Sequence, residues 1–206
     1  MVLSKFHKNG LDSWLIPCCS FHKGAVFVTV ELLLSSQADD QLISAFFRQS
    51  QGQWRSERRY YTLPGGEVKE VNSLLTIRFL EQGDAELIEL ARLHGLADET
   101  AMTCGAAVSW ESENSASGRV ESKGSTLFGV IGSVLYRDRG FATSKPITAG
   151  FYFTNPDTLC LRTEYKGSVF EEELKLVGDK YRTRQTIISR AGEQLMIGQY
   201  LEKRLA

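Results

Sequence analysis

What most constrains the fold of this chain is a nearly unbroken succession of short strand-like segments, running from Cys104 to the C-terminus. Candidate strands are 104–111, 119–130, 133–138, 147–153, 158–164 and 168–177, followed by one starting at Tyr181 and one over 193–202. Turn residues separate them: 112–118, Ile131-Gly132, 154–157, Lys166-Gly167, Gly178-Asp179 and Ala191-Gly192. Two further alternating segments come earlier, 53–63 and 69–80, split by Pro64-Gly65-Gly66. In the second, Val71, Leu75, Ile77 and Phe79 form the inner side. Helical periodicity is confined to two places. Asp39 or Asp40 is expected to cap a short helix carrying Leu42, Ile43, Phe46 and Phe47. Over 84–94, Asp84 is expected to cap a helix striped by Leu87, Ile88 and Ala91 and stopped by Gly95. About ten short antiparallel strands at regular spacing predict an all-β closed meander barrel or a sandwich. A barrel of eight to ten strands is wide enough to hold one small ligand.

Charges on apolar faces mark where such a ligand would sit. In 168–177, Phe170, Leu174 and Leu176 alternate with Glu171, Glu173 and Lys175, and Glu172 falls on the apolar side. An acid pointed into a core is costly unless something charged or hydrogen-bonding meets it. Arg182 and Arg184, two residues apart, share one face of the following strand. Register decides whether they meet Glu172. A two-residue turn at Gly178-Asp179 puts the arginines outside with Glu171 and Glu173, as a surface ladder of opposite charges. A three-residue loop over 178–180 puts them inside with Glu172. The local pattern leaves both registers open. Trp110 follows Ala106 and Val108 on one face, Arg58 shares a face with Trp54, and Glu202 shares one with Met196 and Tyr200. Each has a plainer alternative, since tryptophan commonly fills cores and Arg58 can stack on Trp54 at the surface.

Composition removes several functions. With 24 basic and 25 acidic residues the net charge is -1, which offers no electrostatic footprint for nucleic acid or an anionic membrane. The four cysteines form no CxxC pair and the three histidines are scattered, so no metal site is expected. Reduced thiols and a cytoplasmic location are the default reading. Residues 1–38 read as a loosely attached extension, with an upstream start codon as one explanation, and 39–206 as the folded domain. The apolar run 25–34, broken by Glu31, is too short to span a bilayer, and the residues after it, Ser35-Ser36-Gln37-Ala38, are poor signal-cleavage chemistry.

Several phrases then carry a resemblance. Gly52-Gln53-Trp54-Arg55-Ser56-Glu57-Arg58, Tyr136-Arg137-Asp138-Arg139-Gly140-Phe141, Tyr181-Arg182-Thr183-Arg184-Gln185-Thr186 and Gly198-Gln199-Tyr200-Leu201-Glu202-Lys203 resemble the S-type phycobiliprotein lyases, the CpcS/CpcU/CpeS family. The likeness runs from about Phe46 to Leu205, and Arg58 to Leu63 looks most like the CpcU-type or closely related cyanobacterial members. It implies a lipocalin-like, fatty-acid-binding-protein-like barrel of about ten antiparallel strands with a short N-terminal helix and one inserted helix. It also implies an activity: attachment of a linear tetrapyrrole, phycocyanobilin foremost, to a cysteine of a phycocyanin or allophycocyanin subunit. By position, Arg182 and Arg184 match the family's pocket arginines, Glu172 the acid upstream, Glu202 a second acid, Trp110 the pocket tryptophan and Arg58 the arginine after the first tryptophan. Glu172, Arg182 and Arg184 are thereby the implied catalytic group, with Arg58, Trp110 and Glu202 also touching the bilin. No cofactor is implied beyond the bilin as bound substrate. Some members work only as paired related subunits, so a homo- or heterodimer with a second lyase subunit is consistent with the resemblance. This chain departs from members with two histidines after the first strand's arginine, having Tyr61 and Thr62 there. A non-enzymatic bilin carrier and a non-catalytic partner subunit are the alternatives.

Overall fold

The structure, a computed structural model, describes residues 39–141 and 143–205. The expectation for residues 1–38 falls outside the described residues. Ten strands follow one another: β1 (Gly52–Thr62), β2 (Val68–Glu81), β3 (Cys104–Asn114), β4 (Val120–Ile131), β5 (Val134–Arg137), β6 (Ile147–Asn155), β7 (Thr158–Tyr165), β8 (Ser168–Val177), β9 (Tyr181–Arg190) and β10 (Glu193–Arg204). Each pairs with the next, and β10 closes on β1. Every pairing is antiparallel. Among the described residues closure leaves no edge strand, and it decides for the barrel over the sandwich.

Turn chemistry sets the register. Lys166-Gly167 and Ala191-Gly192 have φ of 52° and 72°, and 51° and 83°. Two positive values in a row are what a tight two-residue hairpin needs. Between β8 and β9 the connection is longer. Val177 pairs with Tyr181, so 178–180 is a three-residue loop, with Gly178 at φ 59° supplying the left-handed position. Leu176 therefore faces Arg182, Leu174 faces Arg184 and Glu172 faces Thr186. All six lie on the inner side of the barrel wall.

Helix α1, residues 39–50, lays Ile43, Phe46 and Phe47 into the barrel interior. They join Trp54, Leu75, Ile77, Leu135, Leu159 and Leu176 in one core. Trp54 is fully buried, and its Nε1–H donates to the Ser50 carbonyl at 2.8 Å, tying the helix end to β1. Asp39 and Asp40 already lie within this helix, so neither is the residue that caps it.

Helix α2 (Ala85–Leu93) covers the barrel from outside. Its stripe is Leu87, Leu90 and Ala91 rather than the expected Leu87, Ile88 and Ala91, because spacings of three and four keep side chains over one seam. Each buried leucine contributes roughly 2 kcal/mol. The barrel wall below is shaved to receive them: a Cβ at Gly105 would lie 2.6 Å from Leu87 Cδ2. Asp84 precedes the helix but its carboxylate makes no cap to it; Oδ2 accepts from the Glu81 amide at 2.9 Å instead. Gly95, at φ 67°, ends the helix as expected. Among the described residues, no helix is long and apolar enough to cross a membrane.

Candidate functional site

The barrel encloses a cavity of about 390 Å³. Phe46, Phe47 and Ser50 of α1 lie at one side of it. Phe141, 39% exposed and also lining it, marks where the cavity meets solvent. Most of the wall is apolar: Leu75, Ile77, Val108, Phe128, Leu161 and Ile188. Against that wall stand five arginines, Arg58, Arg137, Arg139, Arg182 and Arg184, and one carboxylate, Glu172.

Ion pairs across the barrel wall fix these charges. Glu172 on β8 is 5% exposed, and its Oε2 accepts from Arg184 Nη2 on β9. Arg137 on β5 approaches the other oxygen, Nη1 to Oε1 at 3.6 Å. Arg182 on β9 donates from Nε to Oε2 of Glu202 on β10 at 2.5 Å, the two being direct cross-strand partners. Glu202 Oε1 accepts from Ser56 Oγ at 3.1 Å, and Ser56 Oγ accepts from Arg58 Nε at 3.2 Å. Aromatic faces carry the guanidinium groups. Arg182 lies 5.1 Å from the Trp54 ring, Arg184 5.1 Å from Tyr200 and Arg58 5.5 Å from Tyr200.

Electrostatics follow from this packing. Burial works to raise the Glu202 carboxyl, but Arg182, Arg184 and Arg58 together hold it below the usual carboxylate range. Burial opposes the charge on Arg184; Glu172 and its other neighbours outweigh it and push the pKa up. For Arg137 burial is the largest influence and pulls the pKa down, Glu172 offsetting it only in part. Burial likewise pushes the Tyr200 phenol up, so it stays neutral and serves as a hydrogen-bonding group.

Of the residues expected from the sequence, Glu172, Arg182, Arg184, Arg58 and Trp110 all line the cavity. The Trp110 indole lies across β4 at Gly124, where a Cβ would come within 2.8 Å of Trp110 Cζ2. Glu202 does not line the cavity. At 1% exposure it sits behind Arg182 and fixes that side chain. Tyr60, Tyr200, Phe141 and Arg137 belong to the cavity, and the sequence did not single them out as site residues. Tyr60 and Tyr200 meet edge to face at 5.7 Å, and Tyr60 could have been found from its face shared with Trp54 and Arg58. Cys104 and Cys160 are both free thiols and neither lines the cavity. Burial pushes the Cys104 thiol up to about 11, which leaves little nucleophilic thiolate at neutral pH. Among the described residues, no cluster of three His, Cys, Asp or Glu side chains is arranged to hold a metal ion.

A ten-stranded meander barrel that holds a charged, aromatic-lined cavity defines a lipocalin-like small-molecule-binding protein. The chain belongs to the family of CpeS-like proteins, whose sequence pattern matches residues 42–205. A Nostoc sp. protein named "Putative phycocyanobilin lyase CpcS 2" is 66% identical over 167 residues, covering 81% of this chain and 93% of the relative. A Picosynechococcus sp. protein named "Putative chromophore lyase CpcV" is 50% identical over 163 residues, covering 79% of this chain and 81% of the relative. The solved S-type phycobiliprotein lyase CPES from Guillardia theta shares the fold, with a TM-score of 0.67 over 84% of this chain and 96% of that one, at 22% identity.

Proposed function

We propose that this protein is a bilin lyase: it binds a linear tetrapyrrole, phycocyanobilin, and attaches it to a cysteine of a phycocyanin or allophycocyanin subunit. The observation that carries this reading is the cavity's charge pattern, five arginines and one carboxylate against apolar and aromatic walls. A bilin is a flat conjugated chain with two propionates and a row of pyrrole nitrogens. Guanidinium groups pair with carboxylates in a fork geometry, which suits Arg182 and Arg184 to the propionates. Glu172 is the group that can accept hydrogen bonds from the nitrogens and stabilise them when protonated. Trp110 and Tyr200 offer ring faces for stacking. The high identity to a Nostoc protein named for phycocyanobilin favours that bilin over others.

The bond made is a thioether. The acceptor's thiolate adds to the exocyclic ethylidene carbon. The carbon–sulfur bond forms as the double bond opens, and the ring system takes up a proton. The lyase supplies no nucleophile in this reaction, consistent with the high pKa of Cys104 and its place outside the cavity. Its part is to hold the bilin in one shape, exclude water, and keep positive charge on the conjugated system so that the ethylidene carbon is electrophilic. Arg184 keeps Glu172 oriented for that purpose, and Glu202 does the same for Arg182. The reaction takes place in the cytosol, where the acceptor subunits would be met.

Incubation of the protein with phycocyanobilin and an apo-subunit tests the reading. Chromophore that stays on the subunit through acid-urea denaturation is transfer. An absorbance change that denaturation abolishes is carriage alone, and would replace the lyase reading by that of a carrier.

A further inference from the structure

One buried charge in the cavity lacks an adequate partner. Arg137 projects from β5 into the barrel at 6% exposure. Among the described residues its Nε has no hydrogen-bond partner, and its Nη1 stops 3.6 Å from Glu172 Oε1, beyond hydrogen-bonding length. Glu172 gives its other oxygen to Arg184, whose own Nε is also without an acceptor among the described residues. The neighbouring Asp138 is already engaged: Oδ1 accepts from Thr126 Oγ1 and the Leu127 amide, and Oδ2 from Arg139 Nε. Phe128 and Phe141 lie 4.8 and 5.0 Å from the Arg137 guanidinium, but they supply ring faces and not acceptor oxygens. The backbone holds the side chain in place, since His94 Nε2 lies 2.9 Å from the Arg137 carbonyl oxygen and ties β5 to the end of α2.

A guanidinium remains charged at neutral pH, so unmet donors on a buried one cost free energy until an acceptor arrives. We propose that Arg137 and Arg184 form a carboxylate-binding subsite on the cavity side of Glu172, and that it takes one propionate of the bilin. The subsite rests on the bilin reading of the cavity. It assigns a function to an arginine that comes from a strand away from the Arg182–Arg184 pair. Glu172 thereby gains a second role, holding both guanidinium groups part-way to their ligand-bound positions before the bilin enters.

The test compares two ligands and three proteins. Phycocyanobilin carries two free propionates, and its dimethyl ester carries none. Each is titrated by absorbance into the parent, Arg137→Met and Arg137→Lys, and thermal unfolding is followed without ligand. The parent should prefer the diacid. Arg137→Met should weaken diacid binding by roughly 10- to 100-fold, the range for hydrogen bonds to charged groups, and leave the diester within about twofold of the parent. Arg137→Lys should recover part of the loss. Without ligand, Arg137→Met should unfold at or above the parent's temperature, because a poorly paired buried charge has been removed. Equal losses for diacid and diester overturn the subsite alone. A marked fall in the unfolding temperature, or failure to fold, also overturns it and makes Arg137 a structural partner of Glu172. A parent that binds neither form overturns the bilin reading and the subsite with it.

Discussion

Glu202 and Arg182 show how a residue can govern a cavity it does not touch. Glu202 is buried beside Arg182 and Ser56, and Arg182 reaches the cavity because Glu202 holds its Nε. Removing one partner of a buried ion pair leaves the other uncompensated. Glu202→Gln should therefore destabilise the protein by about 3 kcal/mol at neutral pH. The sign of the pH dependence follows from its carboxyl lying below the ordinary 4.5 in the folded state. A depressed folded-state pKa contributes stability that is fully present above the unfolded value and lost as pH falls through the folded one. The gap in unfolding temperature between parent and Glu202→Gln should narrow as pH is lowered below about 4.5. Thermal melts from about pH 7 to about pH 3 measure it, and a constant gap would show that the charge on Glu202 is not what stabilises the pair. Glu172 was legible in the sequence as an acid on an apolar face. Arg137 was not, because β5 has four residues and too short an alternation to say which side its arginine faces.

At the scale of the element, the loop between β8 and β9 decides whether a site exists. Alternation placed Glu172 inside but left the arginines on either face, since a one-residue change in turn length moves a whole strand's side chains across the wall. The backbone at 178–180 settles the register, and that geometry is not written in the side-chain pattern. The ends of the strands were read to within a few residues, whereas the α2 stripe slipped by two positions, from Ile88 to Leu90. The sequence showed a glycine at 124 but no reason for it. The reason lies on β3: Trp110 pairs with Gly124, and its indole fills the space a side chain would take. Gly124→Val should push the indole into the cavity. Bilin affinity should fall about tenfold, a cost of about 1.4 kcal/mol, with little change in far-UV circular dichroism. Titration followed by tryptophan fluorescence checks this, and unchanged affinity together with an unchanged emission spectrum would mean that the ring does not depend on Gly124.

For the whole molecule, closure is what allows a cavity to hold charge. All ten described strands find partners on both sides, so the wall's backbone groups serve the sheet and the charges that line the cavity come from side chains. That architecture was legible in the spacing of the strands and turns, although spacing by itself allowed a sandwich as well. The charge pattern inside was legible only in part, because it joins side chains of different strands, in the case of Arg137 and Glu172 strands that are not neighbours, and no period within one strand reports such contacts. Its consequence for the reaction rests most directly on Glu172, which faces Arg184, Arg137 and the cavity together. Glu172→Gln keeps the size of the side chain and removes its charge. The decisive measurement is the rate of phycocyanobilin transfer to an apo-subunit by parent and Glu172→Gln, read as acid-urea-stable chromophore, alongside bilin affinity for each. The account predicts that transfer slows by more than affinity weakens, since charge on the reacting bilin matters more than charge on the bound one. Equal transfer and equal affinity in the two proteins would contradict it.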